Sequence, residues 1–256
     1  MHIDIKNIAW VNTIFWHLPE STSTTIEIMV KAGSIYETEK TNGISHFLEH
    51  MFFKGWKKYK TPQAVSEVVD AFGGEFNAYT SEEYAGYYVK SAPEYLAQSI
   101  DVLADMLVHA QFPESELERE KGVIIQEIKM YEDMPHYHVQ DLWKHRYYGD
   151  NNYGRPILGP VKNIKSFTQD HFFAHKEALY TKDNLVIVIV GKIDNINAIE
   201  TQIGELFSWL PNQKTIMPAA FYQHIPVEHE ASKNLKTQQN HLVIWAAGRS
   251  MHDDTR

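Results

Sequence analysis

The chain has 256 residues, 43% hydrophobic and 22% charged, with a formal net charge of −9 at pH 7 and no cysteine. That length and balance suit one large globular domain or two small ones, and they exclude a disordered or fibrous chain. The acid excess argues against a nucleic-acid-binding face. The absence of thiols excludes disulfides, thiolate catalysis and Cys-ligated metal sites, so a transition-metal site has to be built from the 14 histidines and the carboxylates.

Residues 8–17 and 24–33 alternate and are rich in Ile, Val, Thr and Trp, which predicts two strands joined across the turn cluster LPESTS. Residues 42–54 predict a helix: Ile44, Phe47, Leu48, Met51 and Phe52 fall on one apolar face, Asn42 or Thr41 can cap it, and Gly55 can end it. Thr61-Pro62 opens a second helix running to Gly73-Gly74. Residues 75–80 and 84–91 predict a strand pair. Helices are expected over 93–110, 113–131, 136–147, 166–178 and 194–210, and LVIVIVG at 185–191 predicts a buried strand. Strands interrupted by long helices without regular βαβ alternation indicate an α+β fold.

After Pro211 the pattern changes. Residues 1–211 read as one domain and 212–239 as a linker. HLVIWAAG at 241–248 predicts a new strand, so 240–256 reads as the start of a second unit that is missing or truncated. No apolar run approaches 18 residues, and MHIDIKNIAW lacks a basic segment followed by an apolar core. The expectation is a cytoplasmic protein without membrane or nucleic-acid partners.

HFLEH occupies residues 46–50. At about 100° per helical residue, His46 and His50 share one face a turn apart, the spacing at which two imidazoles can bind one tetrahedral zinc. Glu49 lies on that face, opposite the apolar stripe. The bland alternative is a solvated polar face, but Phe53 sits on it as well. In the 113–131 helix, Leu117, Ile124, Ile128 and Tyr131 form an apolar stripe that also carries Glu120 and Glu127, seven residues apart. A carboxylate aimed at a core is costly unless paired or metal-bound; the alternative is two acids solvated at the rim.

The other candidates read as structural. His171 and His175 form the best rival pair, but Phe172 and Phe173 separate them. His136 and His138 point apart on a helix, and His145-Arg146 reads as a basic face. EREK and KGWKKYK read as solvated charge, YGRPILG as a loop, and Tyr84, Tyr87 and Tyr88 as sheet packing.

GISHFLEHMFFKG, GGEFNAYTSEEYAGYYV, ELEREKGVIIQEIKMYEDMP and YGRPILG, in this order, resemble the insulinase/pitrilysin family of inverzincin metallopeptidases. The likeness is greatest to its mitochondrial-processing-peptidase β-type and bacterial members, and runs from about residue 8 to about residue 210. Glu127 follows His50 after 76 intervening residues, the spacing of the family signature. The resemblance implies that His46, His50 and Glu127 bind one zinc per chain, that Glu49 is the general base, and that Glu120 orients the site from behind the ligands. It implies that Asn77 and Ala78 lie on the strand against which a peptide substrate is laid. The implied fold is an antiparallel sheet covered by helices, one half of a clamshell. The second half, in the same chain or a partner subunit, supplies an Arg and a Tyr that hold the substrate. The expected function is a zinc endopeptidase half, weakly active alone. The alternatives are a non-catalytic assembly subunit on the same fold and a metal-binding module that presents peptides.

Overall fold

Period-two alternation of branched apolar residues builds the sheet on which the site is mounted. The computed structural model describes residues 3–213, 216–218, 230–234 and 238–246. Its strands are β1 (Ile3–Ile8), β2 (Val11–His17), β3 (Thr24–Val30), β4 (Glu75–Thr80), β5 (Ala85–Ser91) and β6 (Leu185–Gly191), in the spatial order β1-β2-β6-β3-β5-β4. Every neighbouring pair is antiparallel except β2–β6, which is parallel. Ile26, Ile28, Val30, Ile187 and Ile189 are buried on one face, and the alternate residues Met29, Val186 and Val188 are half-buried on the other.

The helices among the described residues are α1 (Ile44–Phe52), α2 (Pro62–Asp70), α3 (Leu96–His109), α4 (Glu114–Glu132), α5 (Pro135–Tyr148), α6 (Val161–Ser166), α7 (Gln169–Leu179) and α8 (Ile196–Leu206). α3 packs on β3 and β5, α1 on β4, and α8 on β1. α1 is then flanked by α4 and α7, away from the sheet. None of the described helices is long and apolar enough to cross a membrane.

The structure departs from the sequence expectations in several places. Residues 3–8 form β1, closing a hairpin onto β2 through Ala9 and Trp10 at φ 50° and 75°. Two consecutive left-handed residues usually call for Asn-Gly, so Ala-Trp carries no turn signal. β2 and β3 are joined across LPESTS as expected, but they are not neighbours in the sheet, because β6 lies between them. With Leu and Ile on one face and Val on the other, β6 is apolar on both sides and belongs at the sheet centre. The helix expected over 166–178 is α7, which starts only at Gln169 because Phe167 is extended and Thr168 caps it, and a short helix not expected, α6, precedes it. α1 is capped by neither Asn42 nor Thr41; its cap is Gly43, without a side-chain bond of its own. Finally, KGWKKYK is not simply solvated: Trp56 is fully buried, and Lys54 pairs with Glu120.

Residues 241–246 form no strand here, and 247–248 lie outside the described residues. Trp245 stacks on Trp143 of α5 at 5.6 Å between ring centroids. Of the expected linker, 212–213, 216–218, 230–234 and 238–239 are described.

YGRPILG, a plain loop in the sequence, crosses the entry to α1. Gly43 and Gly159 have φ of +99° and +69°. A Cβ on Gly159 would lie 2.3 Å from the Asn42 carbonyl oxygen and 2.6 Å from Gly43 Cα, so the two segments touch backbone to backbone. Gly159→Ala is therefore expected to cost about 2 kcal/mol or more and to lower the melting temperature by roughly 5 °C, read by thermal circular dichroism.

Candidate metal centre

α1 is rotationally fixed by its apolar stripe. Phe47, Leu48, Met51 and Phe52 are fully buried; Phe47 meets Phe172 edge-on at 4.9 Å, and Phe52 meets Tyr87 at 5.3 Å. With that face committed, His46, Glu49 and His50 turn toward α4. α4 is held by buried Leu117, Ile124 and Ile128, which bring Glu120 and Glu127 to the same side.

The two helices converge on one point. Glu127 Oε2 lies 3.7 Å from His46 Nε2 and 3.5 Å from His50 Nε2. One ligand atom from each of the three residues falls within 4.8 Å of the others, the group of this kind found among the described residues. Ligand atoms of a tetrahedral zinc at ~2.0–2.1 Å are about 3.4 Å apart. The donor set of two imidazoles and one carboxylate therefore fits a divalent transition ion. Behind it, Glu120 Oε1 is 2.9 Å from His50 Nδ1 and Glu120 Oε2 is 2.6 Å from Lys54 Nζ. An ionised Glu120 can only accept, so His50 donates its Nδ1–H to it, and Nε2 is left to face the point where His46 and Glu127 converge.

The electrostatics follow from burial. Burial, with neighbouring His50 adding, drives the His46 pKa down to about 3, so its ring is neutral. Its Nδ1 is buried without a hydrogen-bond partner. Burial raises Glu127, Glu120 adds to this, and His50 opposes it. Burial also raises Glu49, with Glu127 adding, against a hydrogen bond from Thr80 and the nearby His50. Glu120 is the exception: burial would raise it, but the bonds from His50 and Lys54 prevail and lower it. Neutral imidazoles and ionised carboxylates are the states that bind a cation.

Thr80 ends β4, and its hydroxyl donates to Glu49 Oε2. β4 is an edge strand, paired only with β5 among the described strands. Asn77 is exposed on it and Ala78 half-buried, with the Ala78 N–H donating to Asn77 Oδ1 at 2.9 Å. Phe53, on the polar side of α1, packs on Phe76 of the same strand at 4.7 Å.

The rival histidines have other work. His171 Nδ1 accepts from the Thr168 N–H at 3.1 Å and closes a capping box on α7. His175 Nε2 lies 3.0 Å from Ser45 Oγ. His136 packs against Tyr137. In EREK, Arg119 pairs with Glu116 and Lys121 with Glu118 as i,i+3 pairs, whereas Glu120 is not solvated as expected: it is buried against His50 and Lys54. Tyr87 is buried and bonds Tyr180 at 2.6 Å, while Tyr84 is exposed against Tyr79. Sequence reasoning missed Lys54 and Thr80 as neighbours of the site residues. Only Lys54, one helical turn beyond His50, stood close enough in sequence to be found.

The chain belongs to the insulinase family (Peptidase family M16), whose model matches residues 13–161. It is 43% identical over 93% of its length to the uncharacterized zinc protease YmxG of Bacillus subtilis, of which it covers 57%. It is 37% identical over 72% of its length to the mitochondrial-processing peptidase subunit beta of Dictyostelium discoideum, of which it covers 39%. The chain thus spans about half the length of these curated relatives. In fold it is similar to a Pseudomonas fluorescens structure described as a peptidase M16 inactive domain (TM-score 0.78, 18% identity, 89% of this chain and 54% of that one). A protease from Helicobacter pylori gives TM-score 0.78 at 22% identity, covering 87% of this chain and 54% of that one.

His175 provides a test of packing beside the site. Burial lowers its pKa to about 4, below the ordinary 6.5. Between these values the unfolded chain binds the extra proton, so stability falls as pH drops from about 6.5 toward 4. The melting temperature is expected to decline over that window. His175→Gln should flatten the decline in part, since His46 contributes with the same sign.

Proposed function

We propose that the chain is the zinc-binding catalytic half of an endopeptidase that cleaves peptides or unfolded segments. The observation carrying this reading is the convergence of His46 and His50 on α1 with Glu127 on α4. In this reading the three hold one zinc per chain, which when bound supplies a polarised water and stabilises negative charge on the substrate carbonyl. Glu49 takes the proton of the attacking water and returns it to the leaving amine, and its raised pKa suits both directions. Thr80 holds the Glu49 carboxylate in place. Glu120 fixes the tautomer of His50, and Lys54 keeps Glu120 ionised. An extended peptide added to the edge of β4 past Asn77 and Ala78 would run beside Glu49, recognised through its backbone. The share of the relatives' length covered supports a second, homologous half, which 240–256 would begin and which would complete the grip on the substrate.

The Pseudomonas neighbour described as an inactive domain keeps open a non-catalytic subunit on the same fold. All four motif residues are present here, which favours the enzyme. Glu49→Gln separates the readings: zinc content is retained, and peptide turnover, measured with the second half present, falls by about 10²-fold or more. A structural subunit or peptide-presenting module would show no such loss.

Metal analysis gives the direct test. The purified chain is expected to hold about one zinc and His50→Ala almost none; equal zinc in both removes the site as assigned. Glu120→Gln should keep the ligands but weaken zinc binding roughly 10–100-fold, measured by chelator competition.

A further inference from the structure

α1 is a nine-residue helix, and its second and sixth residues after Ile44 are His46 and His50. Small rotations or slides at its first turn therefore move the ligand atoms directly, and a metal site tolerates only a few tenths of an ångström. Yet the helix starts at left-handed Gly43 with no local side-chain cap. The two local candidates are engaged elsewhere. Thr41 Oγ1 accepts from the Thr38 N–H at 2.8 Å, and the Asn42 amide donates to the Pro156 carbonyl at 2.9 Å.

The orphan amides go instead to a residue outside the helix. The Gly43 N–H donates to Glu37 Oε2 at 2.9 Å and the Ser45 N–H to Glu37 Oε1 at 2.8 Å. Asn42 Nδ2 donates to Oε2 as well, at 2.9 Å. The carboxylate is buried, and its three donors offset that burial only in part, since its pKa is pushed up to about 7; the charge it carries when ionised faces the positive end of the helix. Glu37 is itself fixed: Arg155 donates to its carbonyl at 3.2 Å, and Asn163 donates to the Glu39 and Asn42 carbonyls at 2.9 and 3.0 Å. From the other side, His175 of α7 holds the Ser45 hydroxyl, one residue before His46.

We infer that Glu37 is a positioning residue for the metal centre: its two carboxylate oxygens, braced by the Ser45–His175 contact, set the rotation and axial position of α1 and hence where His46 and His50 meet Glu127. This rests on the metal-site reading above. Glu37 touches none of the ligands and acts only through the helix they stand on.

Glu37→Gln replaces one acceptor oxygen by an N–H₂ facing donors, while size is kept. The experiment uses the full chain, loaded with zinc for affinity and with cobalt(II) for its visible ligand-field spectrum. Glu37→Gln is expected to weaken zinc binding about tenfold and to shift the cobalt bands. Ile203→Ala, fully buried in α8, serves as the control: it should lose at least as much melting temperature while affinity and spectrum stay put. Ser45→Ala, a milder change, decides the matter should Glu37→Gln not fold; a threefold weakening with shifted bands is expected. Unchanged affinity and spectrum in the Glu37 variant, or in Ser45→Ala where that one decides, overturns the inference, as does an equal effect from Ile203→Ala. A wild-type chain that binds no zinc, or a His50→Ala chain that binds it equally, instead overturns the site reading itself.

Discussion

The rotation of α1 about its own axis is the constraint on which the site depends. A helix with one apolar stripe has one way to bury it, and here the stripe is filled by Phe47, Leu48, Met51 and Phe52 without residual exposure. Burial of each large side chain is worth roughly 1.5–3 kcal/mol, so a turned helix would forfeit an amount comparable with the domain's whole margin of stability. Two imidazoles and a carboxylate are thereby directed at α4 by the aromatic contacts on the opposite side of the same nine residues. The sheet contributes by presenting Tyr87 of β5 to that stripe and Thr80 of β4 to Glu49.

The polar half of the arrangement is costly to bury, and its pKa shifts record the cost. Glu49 and Glu127 are raised and His46 is lowered, each toward its uncharged form. Natural folds accept such unfavourable burial at functional centres and recover it elsewhere. The recovery here comes from the aromatic core beneath α1 and from the interlocked loops at its start, where Gly43 and Gly159 allow backbone to lie against backbone.

Much of this could be read from the chain itself, and the boundary has a physical basis. The i, i+3, i+4 relation of His46, Glu49 and His50 is local geometry, as is the seven-residue spacing of Glu120 and Glu127. The alternation of β3, β5 and β6 is local as well. What stayed hidden is either long-range or against type. Glu37 caps a helix it does not belong to, and no periodicity connects a loop carboxylate to amides six and eight residues on. Thr80 reaches Glu49 only because β4 packs beside α1. The β1–β2 hairpin turns on Ala9-Trp10, residues that ordinarily avoid left-handed backbone. Lys54 was hidden by its company, a lysine among lysines, although it alone of that run faces Glu120.

The partnership of Lys54 with Glu120 also fixes the ionic balance around the ligands. Glu120 supplies a full negative charge close to His50, and the ammonium of Lys54 cancels it at 2.6 Å. In the proposed site, Glu127 would then be the one anionic ligand to offset a divalent cation, with the Glu49 carboxylate beside it. Counting the ligands alone, such a complex would keep an excess of one positive charge, which would preserve its Lewis acidity while the imidazole is still held by a strong acceptor. An acid in the same place without its lysine would have exchanged that electrophilic character for tighter retention.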